Sequence, residues 1–155
     1  MKSLLRNSIY LLLLIWITTA CDKQTLYYSY QSIPSSEWTK SDTLFFNVPI
    51  TDSLVFLHLS AEVRNNNYYP YRNLYLIISH NLEDSTTWQT DTLKYMLANE
   101  EGKWNGEGWN SLYHSSLPLK TAVPRHPGNY TFKIIHGMKD EKLLGINDIG
   151  IKISN

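Results

Sequence analysis

Cys21 is the one thiol in a chain of 155 residues, and its surroundings point to its chemistry. Three small residues, Thr18, Thr19 and Ala20, stand directly before it. Ahead of them runs an unbroken apolar stretch, residues 9–17, preceded by the positive charges of Lys2 and Arg6. A basic n-region, a short apolar core and a small-residue cleavage site make up a secretory signal. The apolar run is shorter than the roughly 20 residues a bilayer span needs. A retained transmembrane anchor is the competing reading. A lipoprotein signal peptidase requires a small residue before the thiol that receives the lipid. The expectation is therefore cleavage after Ala20 and acylation of Cys21, with palmitate among its chains. Thr18 stands where such sites usually carry Leu. One cysteine cannot close an internal disulfide. A lone thiol is a liability in an oxidising compartment, and acylation removes it.

The other reactive side chains form no recognisable constellation. His58, His80, His114, His126 and His136 show no His-x-His or His-x3-His spacing, and no second cysteine is present to help hold a metal. No metal and no cofactor is expected. A Gly-x-Ser-x-Gly nucleophile turn is missing. Most Ser and Asp residues lie in turn-like clusters, where they bond nearby backbone. Glycoside hydrolysis would need two carboxylates at a set separation, and the sequence leaves open a pairing of Glu62 or Glu107 with an Asp. No catalytic residue is assigned, and the chain reads as non-enzymatic.

Aromatic residues carry more information. Tyr27, Tyr28 and Tyr30 cluster, as do Tyr68, Tyr69 and Tyr71, while Trp104 and Trp109 bracket a Gly-rich turn. Neighbours on a strand point to opposite faces, so consecutive aromatics cannot all enter a core. Tyr69, Tyr71, Trp104 and Trp109 are the candidate binding surface, for a protein partner or for a glycan. The alternative is that these rings cap the open ends of a sandwich. Thr43, Ser53 and Thr92 each sit in an Asp-Ser/Thr-Leu tripeptide and are candidate O-glycosylation sites. The bland reading of those tripeptides is that Asp opens a strand. Asn129-Tyr130-Thr131 fits an N-glycosylation sequon, which is discounted in a bacterial setting.

The elements that must position these residues read as β-strands. Residues 54–64 alternate, with Val55, Leu57, Leu59, Ala61 and Val63 against His58, Ser60, Glu62 and Arg64. Such a period of two predicts one buried and one wet face. Residues 74–79 form a near-continuous apolar run, as in a strand buried on both faces. Further strands are expected at residues 27–31, 43–50, 90–97, 130–136 and 146–153. Ile149, Ile151 and Ile153 share one face of the last. Residues 109–115 suggest a short helix or a turn. About eight short strands separated by turn residues predict a single all-β sandwich, jelly-roll-like or immunoglobulin-like. The expected division is a signal at residues 1–20, the lipidated Cys and a short tether at 21–26, and one domain at 27–155.

Removing 20 of the 155 residues leaves about 135, enough for one domain with a sizeable core. Two of the 14 basic residues fall in the signal and all 14 acids follow it, so the mature net charge is about −2. No basic patch stands out, which argues against nucleic acid as a partner. Membrane attachment must then come from acyl chains, and stable attachment takes two or more signals.

Several blocks, in order, resemble one known family. They are Cys21-Asp22 with Tyr30-Gln31-Ser32-Ile33-Pro34 and Trp38; Arg64-Asn65-Asn66 leading to Tyr69-Pro70-Tyr71 and Asn73-Leu74-Tyr75-Leu76; Asp91-Thr92-Leu93, Gly102-Lys103-Trp104 and Gly106-Glu107-Gly108; and Pro127-Gly128-Asn129-Tyr130-Thr131-Phe132, His136-Gly137-Met138-Lys139-Asp140, Leu144-Gly145-Ile146 and Asp148-Ile149-Gly150. Together they resemble the gliding-motility lipoproteins of GldH type from Bacteroidetes, over nearly all of the mature chain. The resemblance implies an envelope lipoprotein that supports gliding and its associated secretion machinery through protein contacts, with no catalytic residues. Surface display in such bacteria calls for acidic residues just after the Cys. Here only Asp22 qualifies, followed by Lys23 and Gln24. The expected location is the outer membrane, facing the periplasm.

Overall fold

Alternation of apolar and polar residues builds nearly every element of the chain. The computed structural model describes residues 24–155, so the signal and Cys21 lie outside the described residues. Eleven strands follow in order: β1 (Thr25–Ser32), β2 (Glu37–Thr39), β3 (Leu44–Ile50), β4 (Leu57–Asn66), β5 (Asn73–His80), β6 (Gln89–Met96), β7 (Glu107–Trp109), β8 (Leu112–Ala122), β9 (Gly128–His136), β10 (Lys142–Leu144) and β11 (Ile146–Ser154). Among the described residues the only helical element is a 3-10 turn at Pro34–Ser36. Eight strands are long, and β2, β7 and β10 have three residues each.

Pairing is antiparallel throughout. One sheet runs β1-β11-β4-β8-β7 and the other β3-β9-β5-β6, while β2 and β10 form a separate ribbon. First and last strands pair, and the chain crosses between sheets at β1 to β3, β3 to β4, β4 to β5, β6 to β8, β8 to β9 and β9 to β11. Setting the short strands aside, this is the double Greek key of a jelly roll. It decides between the two sandwich types, because an immunoglobulin sheet pairs the first two strands with each other.

The inner faces meet in one core. Ile149, Ile151 and Ile153 of β11 and Leu59, Ala61 and Val63 of β4 are buried. So are Phe46 and Val48 of β3, Leu74, Leu76 and Ile78 of β5, and Phe132 and Ile134 of β9. Each large side chain so buried contributes about 1.5–3 kcal/mol.

Register also fixes what sits at each end. Thr25 pairs with Ser154, Ser154 with His58, His58 with Thr121, and Ile50 with Gly128. The start of β1, the C-terminus and loops 51–56, 81–88 and 123–127 therefore share one end, called here the tether end. Loops 33–43, 67–72, 97–106 and 137–145 share the opposite, distal end.

Three expectations are corrected and one is narrowed. Strand β1 begins at Thr25, two residues inside the expected tether. Residues 54–56 precede β4 instead of belonging to it, because Leu54 takes φ 62°. Strand β5 alternates buried with half-buried residues, since its outer face carries no covering layer. Residues 109–115 hold a turn and not a helix, and the turn is confined to two residues. Asn110 and Ser111, with φ 47° and 69°, make a two-residue hairpin turn between β7 and β8.

Candidate functional site

The distal end gathers most of the aromatic residues singled out above, in two layers. Tyr69 is 3% exposed and belongs to the core, not to a binding surface. Its ring packs edge-on against Tyr71 at 6.0 Å and tilted against Trp104 at 6.3 Å, and Trp104 packs on Tyr113 at 5.6 Å. Its hydroxyl donates to Asn73 O at 2.7 Å. Burial pushes that phenol's pKa up, with Tyr71 and Asp140 adding to the effect. Trp104 is half-buried and donates Nε1–H to Asn67 Oδ1 at 3.2 Å. A flat glycan platform built from Trp104, Trp109 and residues 69–71 is therefore not assembled, since Tyr69 is buried and Trp104 is half-buried against Tyr69 and Tyr113.

Gly145 makes this layer reachable. Its φ is +82°, and a Cβ there would sit 2.2 Å from the backbone nitrogen of Tyr69. Only glycine lets the 137–145 loop close on the 67–72 loop. The loops are held by Asn66 N–H donating to Gly145 O at 2.9 Å and by Gly145 N–H donating to Ser36 O at 2.8 Å.

Above this layer lie exposed rings. Trp109 is 87% exposed at the β7–β8 turn, and Tyr68 and Leu112 are exposed as well. Leu112 pairs with both Trp109 and Asn66, which places these side chains on one corner of the distal end. Tyr68 was not among the expected surface residues; it sits in the turn after β4, where its N–H donates to Asn66 Oδ1 at 2.8 Å and its ring is left in solvent. Tyr71 is half-buried and donates its hydroxyl to the Asp140 carboxylate, which raises its pKa. Tyr71, Tyr75, Met138 and Asp140 line a cleft of about 460 Å³ at this end. Exposed aromatics beside a partly apolar cleft are what a protein interface uses for anchoring.

A second cluster, on the outer face of the five-stranded sheet, had no sequence signal. Glu62 was expected on the wet face of β4, yet it is 1% exposed. Its carboxylate accepts hydrogen bonds from Ser60 Oγ at 2.6 Å, Ser116 Oγ at 2.8 Å and His114 Nε2 at 2.7 Å. Gly150, paired with Tyr30 and Glu62, leaves room for the Tyr30 ring to lie across the sheet. Arg64 sits 4.0 Å above that ring. Burial pushes the Tyr30 phenol's pKa up, and the Tyr28 hydroxyl, 2.8 Å away, adds to it. Both serines donate to the carboxylate and neither addresses His114, so the geometry differs from a Ser–His relay, where His accepts the serine proton. No second carboxylate hydrogen-bonds within the Glu62 network among the described residues.

The remaining candidates scatter. Thr43 and Ser53 are half-buried in loops at opposite ends, and Thr92 is exposed on the edge strand β6. Among the described residues no group of His, Cys, Asp or Glu could hold a metal ion.

Comparison with known proteins follows the same outline. The chain is 33% identical to the gliding motility lipoprotein GldH of Flavobacterium johnsoniae, over 96% of either chain. It is 32% identical to a GldH homolog of Christiangramia forsetii, over 90% of this chain and 89% of that one. Among solved structures it is similar to the infectious bursal disease virus T13 particle protein, at TM-score 0.41 and 8% identity. That alignment covers 86% of this chain and 32% of the other, a likeness too distant to carry an argument. Residues 25–153, from the first strand to the last, match the GldH lipoprotein family, and the chain belongs to it.

Proposed function

We propose that the chain is a non-enzymatic lipoprotein, acylated at Cys21, that supports gliding-associated envelope machinery by offering its distal end to a protein partner. One observation carries this reading: chain entry and the exposed corner of Tyr68, Trp109 and Leu112 lie at opposite ends of the sandwich. An acyl group at Cys21 holds the tether end at a membrane and turns Tyr68, Trp109, Leu112 and the Tyr71–Asp140 cleft away from it. Confinement to the membrane raises the effective concentration of that surface near other anchored proteins. The two GldH relatives, named for gliding motility, support the setting.

The outer membrane with the domain facing the periplasm is the proposed location, because Asp22 is the one acid directly after Cys21. Protease treatment of whole cells should leave the domain intact, and its removal would place the protein outside. Of the three candidate O-glycosylation sites, Thr92 is the best placed, being exposed on an edge strand.

Site-specific photocrosslinking in intact cells tests the interface. A photoreactive residue at Tyr68 or Trp109 should trap an envelope protein, and one at His58, at the tether end, should not trap the same protein. No adduct from either distal position would sink the reading.

A further inference from the structure

We propose that the 51–56 loop is a membrane-docking element that lays Leu54 and Phe56 against the lipid surface to which Cys21 is anchored. The proposal rests on acylation of Cys21 and adds a second, non-covalent contact to it.

The first observation is exposure. Leu54 is 75% exposed and Phe56 is 70% exposed, in one short loop. Between them Val55 turns inward and packs against the core. The loop is anchored by its middle residue while both large neighbours stay exposed. Leu54 adopts φ 62°, a conformation that a branched apolar residue rarely takes, and its N–H donates to Pro124 O at 2.9 Å. The loop is thus tied to the neighbouring 123–127 loop with its apolar side chains left free.

The second observation is position. Strand β1 begins at Thr25, and Thr25 pairs with Ser154, which pairs with His58, two residues past Phe56. The loop therefore shares an end with the point where the chain leaves for Cys21. Three residues separate Cys21 from Thr25, and the four steps between them cover about 14 Å in a fully extended chain. An acylated Cys21 sits at the membrane surface, so the tether end must hover within that reach. The polar layer on each side of a bilayer is roughly 5–8 Å deep. A short tether and two protruding apolar side chains at the same end bring Leu54 and Phe56 to that layer.

The third observation is charge. At this end Asp52, Glu83 and Asp84 outnumber Arg125, and Arg125 and His126 lie close enough to depress the Asp84 carboxyl further, beneath the larger effect of its hydrogen bonds from Thr86. Among the described residues no basic patch is present here to draw anionic lipid. Contact is therefore apolar, and a zwitterionic surface suffices.

Fluorescence on the full acylated chain tests this. Cys21 is the lone cysteine. With it acylated, Leu54→Cys, Phe56→Cys or Trp109→Cys supplies the single free thiol for an environment-sensitive dye. Each labelled protein is placed in phosphatidylcholine vesicles, with and without lipids carrying a quencher near the headgroup. The mass of the N-terminal peptide reports acylation. The expected result is an acylated Cys21, a blue shift and loss of emission with quencher lipid at positions 54 and 56, and neither at 109. An acylated chain whose dye at 54 and 56 stays as unquenched as at 109 overturns the docking proposal and leaves the anchor standing. An unmodified Cys21 overturns the anchor and the docking together. Protection at 54 in cells without quenching by lipid would assign the loop to a protein partner and also overturn the proposal.

Discussion

His114 Nε2 lies 2.7 Å from Glu62 Oε2, and this contact is what allows a carboxylate to be buried on the outer face of a sheet. An ionised carboxylate only accepts, so the imidazole donates from Nε2. Ser60 and Ser116 occupy the other oxygen. Removing one partner leaves part of a desolvated charge unpaired. His114→Ala is expected to cost about 1–3 kcal/mol. Glu62→Gln should cost less, because the amide keeps an acceptor. Chemical denaturation of the two single variants and the double variant checks this. Additive effects within about 0.5 kcal/mol would mean that the contact contributes no coupling.

Two buried histidines make the fold sensitive to acid. Burial holds the pKa of His80 below its ordinary value, with Lys120 adding to the shift, and burial does the same for His136, with Lys40 adding. Among the described residues neither ring nitrogen of His136 has a partner in full hydrogen-bond geometry, although the Trp38 backbone lies near enough to oppose part of the shift, and the ring packs edge-on to Trp38 at 5.3 Å. The folded state thus binds fewer protons than the unfolded chain. Stability should be level above the unfolded value of about 6.5 and should fall as pH drops below it, until the folded groups also titrate. Unfolding free energies measured across pH 4–8 test the sign. His136→Leu should flatten the slope in that window.

Gly145→Ala should disable the distal end. The added methyl would press on the Tyr69 backbone, and the positive φ alone costs a non-glycine residue about 1–2 kcal/mol. A loss above that range in the denaturation midpoint is expected, together with loss of the distal crosslinks. Wild-type stability in this variant would mean that the 137–145 loop closes in some other way.

Exposure separates structural from binding aromatics. Trp38 is buried and donates Nε1–H to Asp42 O at 2.9 Å, so Trp38→Ala should cost about 3–5 kcal/mol. Trp109→Ala should change stability by less than about 0.5 kcal/mol, since the ring is largely in water. Thermal unfolding of the pair reads the contrast directly. Loss of a partner adduct in Trp109→Ala, with unchanged melting, would mark it as an interface anchor.

Much of the sandwich was legible residue by residue. Ile149, Ile151 and Ile153 alternate without interruption, and all three are buried as expected. Strand β8, the longest, escaped notice. Pro118 interrupts it, and a bulge opposite His58 and Ser60 shifts its parity midway. Both features are tolerated because β7 covers only the first residues of β8 and leaves the rest at a sheet edge. Of the expected surface rings, Trp109 is exposed and Tyr69 is buried. Two adjacent tyrosines state that one must face out, but which one depends on the loop that closes over them.

Local patterning determined seven of the eight long strands and the all-β class, because a period of two is a property of neighbouring residues alone. The signal-like segment before Cys21 is equally local, and it carries the lipoprotein reading that family membership supports. Tertiary structure decided the jelly-roll order, the burial of Glu62 and the separation of the tether from Tyr68 and Trp109. Each depends on pairs distant in sequence, such as Tyr30 with Gly150, Glu62 with Ser116, and Thr25 with Ser154. Those pairings are chosen by how two sheets share one core, and no window of adjacent residues contains that choice.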